Sequence, residues 1–233
     1  IDAVVIAPQQ STSTATLVDT ATKPVVALDT DFTSDKKACF VGTGNEDAAL
    51  NGGKAVAEAC KALGKDKPTA VIIAGVQGDQ TNTARMNGYK AGVEEAGGTF
   101  LSDEVQYADA TADRATTAME AIMQTHPEGI AIICANNDDM AMAAARAAQG
   151  HDAYKNTIFL GFNGDRAACE AILDGQMTMS VAQMAYEMGY KAVETMVQVL
   201  DGETVDEFVD SGSDVVTPDN AQERLDTLKT QLH

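Results

Sequence analysis

The chain contains no tryptophan, and aromatic residues fill only 5% of its 233 positions. Recognition by broad indole platforms is therefore excluded. Cations are scarce as well: 16 Lys and Arg stand against 35 Asp and Glu, a formal charge of −19. That balance excludes nucleic acid and anionic membrane as partners, because phosphate binding relies on clustered Lys and Arg. A small neutral ligand or a basic docking partner remains compatible with it. No apolar run approaches the roughly 18 to 20 residues that a membrane span requires. No signal-peptide pattern is present either, since Ile1-Asp2 leads straight into a strand-like run. A mature exported protein reads the same way.

The usual sequence marks of catalysis are missing too. The four cysteines, Cys39, Cys60, Cys134 and Cys169, lie far apart, and none forms C-x-x-C. His126, His151 and His233 show no metal-ligand spacing. Small buried thiols without a disulfide framework are expected. The chain has no P-loop, no G-x-G-x-x-G, no G-x-S-x-G and no H-E-x-x-H. Asp29, Asp138 and Asp139 have no His, Lys or metal-type partner near them in sequence. The expectation is a protein that is not an enzyme and carries no cofactor.

What is present is alternation. Short apolar runs at Asp2–Ala7, Pro24–Asp29, Cys39–Gly42, Thr69–Ala74, Thr99–Tyr107, Ile130–Cys134, Thr157–Phe162 and Met177–Gln183 read as strands. Helical patterns lie between them at Ala15–Thr22, Glu46–Leu63, Thr81–Ala96, Thr111–Thr125, Asp138–Gln149, Asp165–Leu173 and Met184–Leu200, with a last helix from Pro218. Met119 and Met123, like Met184 and Met188, are spaced i, i+4 and read as core-facing. Buried runs of this length between helices imply parallel strands covered on both faces. The class is α/β with a doubly wound sheet, in which ligands sit beyond the carboxyl ends of the strands.

Those ends are polar. They read ALDTD, ending at Asp29–Asp31, GVQGDQTNTARMN from Gly75, ANNDD at Ala135–Asp139, GFNGD at Gly161–Asp165, and SVAQ closing on Gln183. The Gly75–Gly78 loop reads as a turn exposing Thr81, Asn82, Thr83 and Asn87 to a cleft, and Lys36-Lys37 as a solvated turn. Carboxylates accept hydrogen bonds and carboxamides both donate and accept, which suits a ligand with many hydroxyl groups. Each such residue is also a candidate helix cap. Asp165 reads as a cap, Asp138 or Asp139 as another, and Asn137 and Asn163 as ligand contacts.

Four passages, in order, resemble the sugar-binding proteins of ABC transporters, the ribose-binding-protein-like group of type I periplasmic binding proteins. They are PVVALDTDFTSDKKACFVGTGNEDAALNGGKAVAE, TNTARMNGYKAG, ANNDDMAMAAARA and FLGFNGDRAACEAILDGQMTMSVAQ. The resemblance implies two doubly wound lobes joined by three crossovers and closing on a ligand. Carried over, residues 1–43 with 184–211 form one lobe and 44–183 with 212–233 the other. It also implies that the first lobe here lacks a βαβα segment of about 60 residues, leaving an open edge with exposed apolar surface. The matching contacts are Asp29, Thr30, Asn87, Asn137, Asn163 and Gln183. Where the family usually has Arg, this chain has Thr30 and Asn87. Where it has Asp, this chain has Asn163, and a position often aromatic is Ala110. The implied protein is an extracytoplasmic one, in the periplasm or lipid-anchored, that delivers a sugar or polyol to an ABC permease and is a monomer when full length. The same scaffold also serves as the effector domain of lactose-repressor-type regulators and as sugar or quorum-signal receptor domains.

Overall fold

Two compact units make up the computed structural model, which describes residues 1–8 and 10–231; His233 lies outside them. One unit comprises residues 1–44, 79–81 and 183–213, the other 45–78, 82–182 and 214–233.

In the first unit, β1 (Val4–Ile6), β2 (Val25–Leu28), β3 (Lys37–Gly42) and β10 (Phe208–Asp210) form a sheet in the order β1-β2-β3-β10. All three pairings are parallel. Side chains alternate across it. Val26, Cys39 and Val41 pack against Met188, Ala192 and Met196 of α7 (Ala185–Leu200). Val25, Ala27 and Phe40 face Val18 of α1 (Ser11–Val18). β1 ends the sheet, and its Val4 and Val5 are 38% and 39% exposed. Tyr186, Tyr190, Val193, Val197 and Leu200 form an exposed apolar stripe along the outer face of α7.

The second sheet runs β11-β9-β8-β7-β4-β5, from β11 (Ser213–Val216) through β9 (Met179–Gln183), β8 (Ile158–Asn163), β7 (Ile132–Ala135) and β4 (Thr69–Ala74) to β5 (Thr99–Phe100). A short β6 (Gln106–Tyr107) also pairs with β4. Helices α4 (Ala112–Thr125), α5 (Asp138–Ala148), α6 (Arg166–Leu173) and α8 (Ala221–Gln231) cover one face, over Val71, Ile73, Ile133 and Phe159. Helices α2 (Asn45–Ala62) and α3 (Gln80–Glu95) cover the other, over Ala70, Ile72, Cys134 and Leu160. Double coverage explains why these strands read as continuous apolar runs.

The sequence reading needs several corrections here. The Thr99–Tyr107 strand is two short strands broken by a 3-10 turn at Ser102–Glu104. Helix α1 begins at Ser11 rather than Ala15, and the last helix begins at Ala221, after a turn in which the Asn220 side chain accepts from the Thr217 N–H. β10 has no counterpart in the reading. Lys37 is not a solvated turn residue: it enters β3 with its side chain 16% exposed and paired to Asp31. All four cysteines are buried and free. Met119 and Met188 are core residues.

Helices α2 and α3 approach with backbone against backbone. A Cβ on Gly88 or Gly92 would overlap the carbonyl oxygen of Glu46 or Leu50. This closeness sets α3 on the sheet with its inner face over the ends of β7 and β8. Gly92→Ala is expected to cost roughly 1 to 3 kcal/mol by overpacking. A urea unfolding curve would check it, and a cost under about 0.5 kcal/mol, the range of an ordinary surface substitution, would contradict the packing argument.

Candidate functional site

Two long side chains on the inner face of α3 fasten the strand ends of the second unit. Arg85, 8% exposed, donates from Nε to Asn45 Oδ1 (2.7 Å) and from Nη1 to the Asn136 carbonyl (2.8 Å). Its guanidinium lies 3.7 Å from the centroid of the Phe162 ring. One turn on, the hydroxyl of the fully buried Tyr89 lies within hydrogen-bond distance of the carbonyls of Ala135 (3.2 Å) and Gly161 (3.1 Å). Burial raises the Tyr89 pKa and keeps it a neutral donor. Asn82 is buried rather than exposed to a cleft. Its carboxamide oxygen accepts from the Gly75 N–H and from the Asn136 side chain, closing the loop after β4 onto the loop after β7.

The four polar residues of ANNDD therefore have four different surroundings. Asn136 is 4% exposed and locks loops together. Asn137, not Asp138 or Asp139, is the N-cap of α5: it has extended backbone and its Oδ1 accepts from the Met140 N–H (2.8 Å). Its Nδ2 donates to the Ala110 carbonyl (3.2 Å). Asp109 and Ala110 both adopt left-handed backbone, φ 45° and 59°, and the turn they make carries that carbonyl. Asp139 is exposed. Asp138 is 0% exposed and points into the unit.

Asp138 is met there by the turn after β8. Its Oδ1 accepts from Ser180 Oγ (2.6 Å) and its Oδ2 from the Asp165 N–H (3.2 Å). Ser180 Oγ in turn accepts from the Gly164 N–H (3.0 Å), and Arg224 Nε donates to the Gly164 carbonyl (3.1 Å). Asn163 sits in this turn at φ 132°, a region that side-chain-bearing residues seldom adopt, followed by Gly164 at φ 62°. Asp165 caps α6, accepting from the Ala168 N–H, as its sequence position suggested. Burial pushes the Asp138 carboxyl up to about 7 against the lowering effect of its hydrogen bonds.

Asn87 is exposed on α3, two residues beyond Arg85. In the first unit Asp29 and Thr30 follow β2 and are half-buried. Asp29 adopts φ 65°, and its N–H donates to the Val41 carbonyl (3.0 Å). Gln183 ends β9, and its Oε1 accepts from Thr43 Oγ1 (3.1 Å). Among the described residues no group of three or more His, Cys, Asp or Glu could hold a metal ion.

The strand-end positions thus carry carboxamides and carboxylates on strained or capped turns. The model of the periplasmic binding protein domain matches residues 1–204. The chain belongs to that family. The ribose import binding protein RbsB of Bacillus subtilis is 29% identical over 213 residues, covering 90% of this chain, which spans 66% of that protein. Among solved structures, an ABC transporter solute-binding protein from Mycobacterium smegmatis with bound glycerol is 30% identical at a TM-score of 0.81, covering 96% of this chain and 76% of its own. A carbohydrate transporter solute-binding protein from Agrobacterium radiobacter, in complex with D-arabinose, is 26% identical at a TM-score of 0.85, covering 97% and 78%. The two doubly wound α/β sheets are the type I fold of this family.

Sequence reasoning missed the ties beneath the site. The sequence assigned Arg85 no role, and offered Asp138 only as one of two alternative caps, with Asp139. Gly161 was the available signal, because a Cβ there would collide with the Asp138 carboxyl.

The raised pKa has a stability consequence of definite sign. A carboxyl at about 7 in the folded chain and 3.8 when free contributes stability that is full below about pH 4 and lost as pH rises through 7. His126, raised chiefly by its hydrogen bond to Glu104, adds a loss of the same sign. The difference between wild type and Asp138→Asn isolates the carboxyl. The wild-type melting temperature is expected to fall more steeply than the variant's between pH 5 and pH 8. Parallel profiles would show that Asp138 does not titrate in that window.

Proposed function

We propose that the protein is an extracytoplasmic solute-binding protein, held in the periplasm or by a lipid anchor, that captures a sugar or sugar-like polyol and delivers it to an ABC permease. The observation that carries this reading is the set of hydrogen-bonding side chains at strand carboxyl ends: Asp29 and Thr30 after β2, Asn137 after β7, Asn163 and Gln183 at the ends of β8 and β9. We read these five residues and Asn87 as the ligand contacts, and the two units as the two lobes of a binding protein.

The chemistry supports a neutral ligand. Asn and Gln present donors and acceptors together and pair with hydroxyl groups of either sense. Arg85 is engaged with Asn45, the Asn136 carbonyl and the Phe162 ring. A hydroxyl taken from water and left unpaired costs about 1 to 3 kcal/mol, so carboxamides held at fixed angles discriminate between epimers. Relatives of the chain are binding proteins, and we read this one as capturing its ligand without transforming it. The ribose import protein and the structures holding D-arabinose and glycerol point to a small polyhydroxylated compound.

Isothermal titration with D-ribose, D-arabinose, D-allose, myo-inositol and glycerol is the direct test. At least one is expected to bind and to be recovered unchanged, whereas silence from sugars and polyols alike would overturn the reading. With the responding ligand, Asn137→Ser keeps an oxygen for the α5 cap while removing the carboxamide N–H groups. It is expected to weaken binding roughly tenfold, about 1.4 kcal/mol, with little change in melting temperature. Gln183→Ala is expected to act in the same direction.

A further inference from the structure

We propose that Asp138 is a positioning residue for the binding face, tying the turn that carries Asn137 to the turn that carries Asn163. The proposal deepens the solute-binding reading and rests on it for the identity of the two carboxamides as contacts.

The geometry is a short chain of bonds. Asn137 caps α5, so its side chain is fixed to the helix of which Asp138 is the first residue. The Asp138 carboxyl then reaches across to β8 and β9. It accepts from the Asp165 N–H and from Ser180 Oγ, and Ser180 accepts from the Gly164 N–H. Two backbone amides of the Asn163–Asp165 turn are thus held, directly or through one hydroxyl, by the residue after Asn137. Sequence separations of 27 and 42 residues along these bonds show that nothing local dictates them. Gly161 leaves the space that the carboxyl fills.

A cap alone explains none of this. Asn137 already caps α5, and a residue at 0% exposure inside α5 would ordinarily be apolar. A buried carboxyl costs stability unless its acceptors are used. Here both oxygens accept, and both bonds lead toward the turn in which Asn163 is held at φ 132°. That strained backbone persists only where its surroundings hold it in place. The other titratable groups facing the carboxyl are Asp165 and Cys169 from α6, Arg224 from α8 and Tyr89 from α3.

The test needs no ligand in its first arm. Side-chain carboxamide resonances of Asn137 and Asn163 are followed in the 15N-asparagine-labelled full chain from pH 5 to pH 8. Asn220, whose side chain bonds to Val215 and Thr217, serves as a control in the same unit. Both resonances are expected to move with a common midpoint in wild type and to lose that response in Asp138→Asn, while Asn220 stays still. Ser180→Ala, which removes only the hydroxyl link, is expected to shift Asn163 and leave Asn137 in place. It keeps the question answerable if Asp138→Asn does not fold. Resonances of Asn163 that neither follow pH nor respond to either variant would overturn the proposal.

The second arm titrates D-ribose or myo-inositol, whichever binds wild type. Ser180→Ala, titrated at a temperature where it is fully folded, is expected to weaken binding at least fivefold, and unchanged affinity would count against positioning. If wild type binds neither these nor any other polyol, the solute-binding reading fails on its own, and the first arm still decides whether Asp138 couples the two turns.

Discussion

Parallel strand pairing with helices on both faces is the constraint from which the rest of this structure follows. Each central strand of the larger sheet has apolar neighbours above and below, so a polar side chain along its length needs a partner inside the unit, as Ser180 of β9 has in Asp138. Most polar side chains therefore gather at the strand ends. The carboxyl ends of β7, β8 and β9 are left to carry Asn137, Asn163 and Gln183, and Asn82 of α3 closes over the end of β4. Burial on both faces also requires that anything holding these ends in place reach them from a covering helix. Arg85 and Tyr89 do so from α3, and Asp138 does so from the start of α5.

The small residues follow from the same demand. Arg85 and Tyr89 can reach the ends of β7 and β8 only if α3 lies close to the sheet beside α2, and the backbone contacts at Gly88 and Gly92 allow that. Gly161 performs the equivalent service for Asp138. These glycines do not serve left-handed backbone, unlike Gly164 in the Asn163 turn. They are spaces kept for other groups, which is why a motif search for turns or phosphate cradles passes over them.

Much of the fold was readable because it depends on local pattern. Apolar runs of four to six residues between helical stretches marked the central strands within a residue or two, and Asp165 announced its own cap. The errors fell where tertiary contacts decide. The Thr99–Tyr107 run has enough apolar content for one strand, yet β5 and β6 pair with opposite ends of β4 and a 3-10 turn spans the gap. Lys37 looked solvated until its pairing with Asp31 drew it into β3. In ANNDD any of four residues could cap, and propensity ranks Asn and Asp as near equals. Only the partners at Ser180 and Asp165, far along the chain, separate the cap from the buried tie. The family resemblance picked out Asn137 as a contact but said nothing of its neighbour.

A site built on carboxamides depends more on such ties than a site built on charge. An Arg or a carboxylate draws a ligand of opposite sign over several ångströms and tolerates some misplacement. An Asn contact is neutral, directional and weak beyond about 3.2 Å. On the proposed reading, neutral contacts at Thr30, Asn87 and Asn163 would move the burden of discrimination from attraction to placement. Asn163 at φ 132°, Asp29 at φ 65° and Ala110 at φ 59° are the strained positions such placement requires. A buried carboxyl at the residue after Asn137, tied to the Asn163 turn, fits that demand. Its desolvation weakens the fold as pH rises, and the bonds it makes hold the backbone that aims the carboxamide.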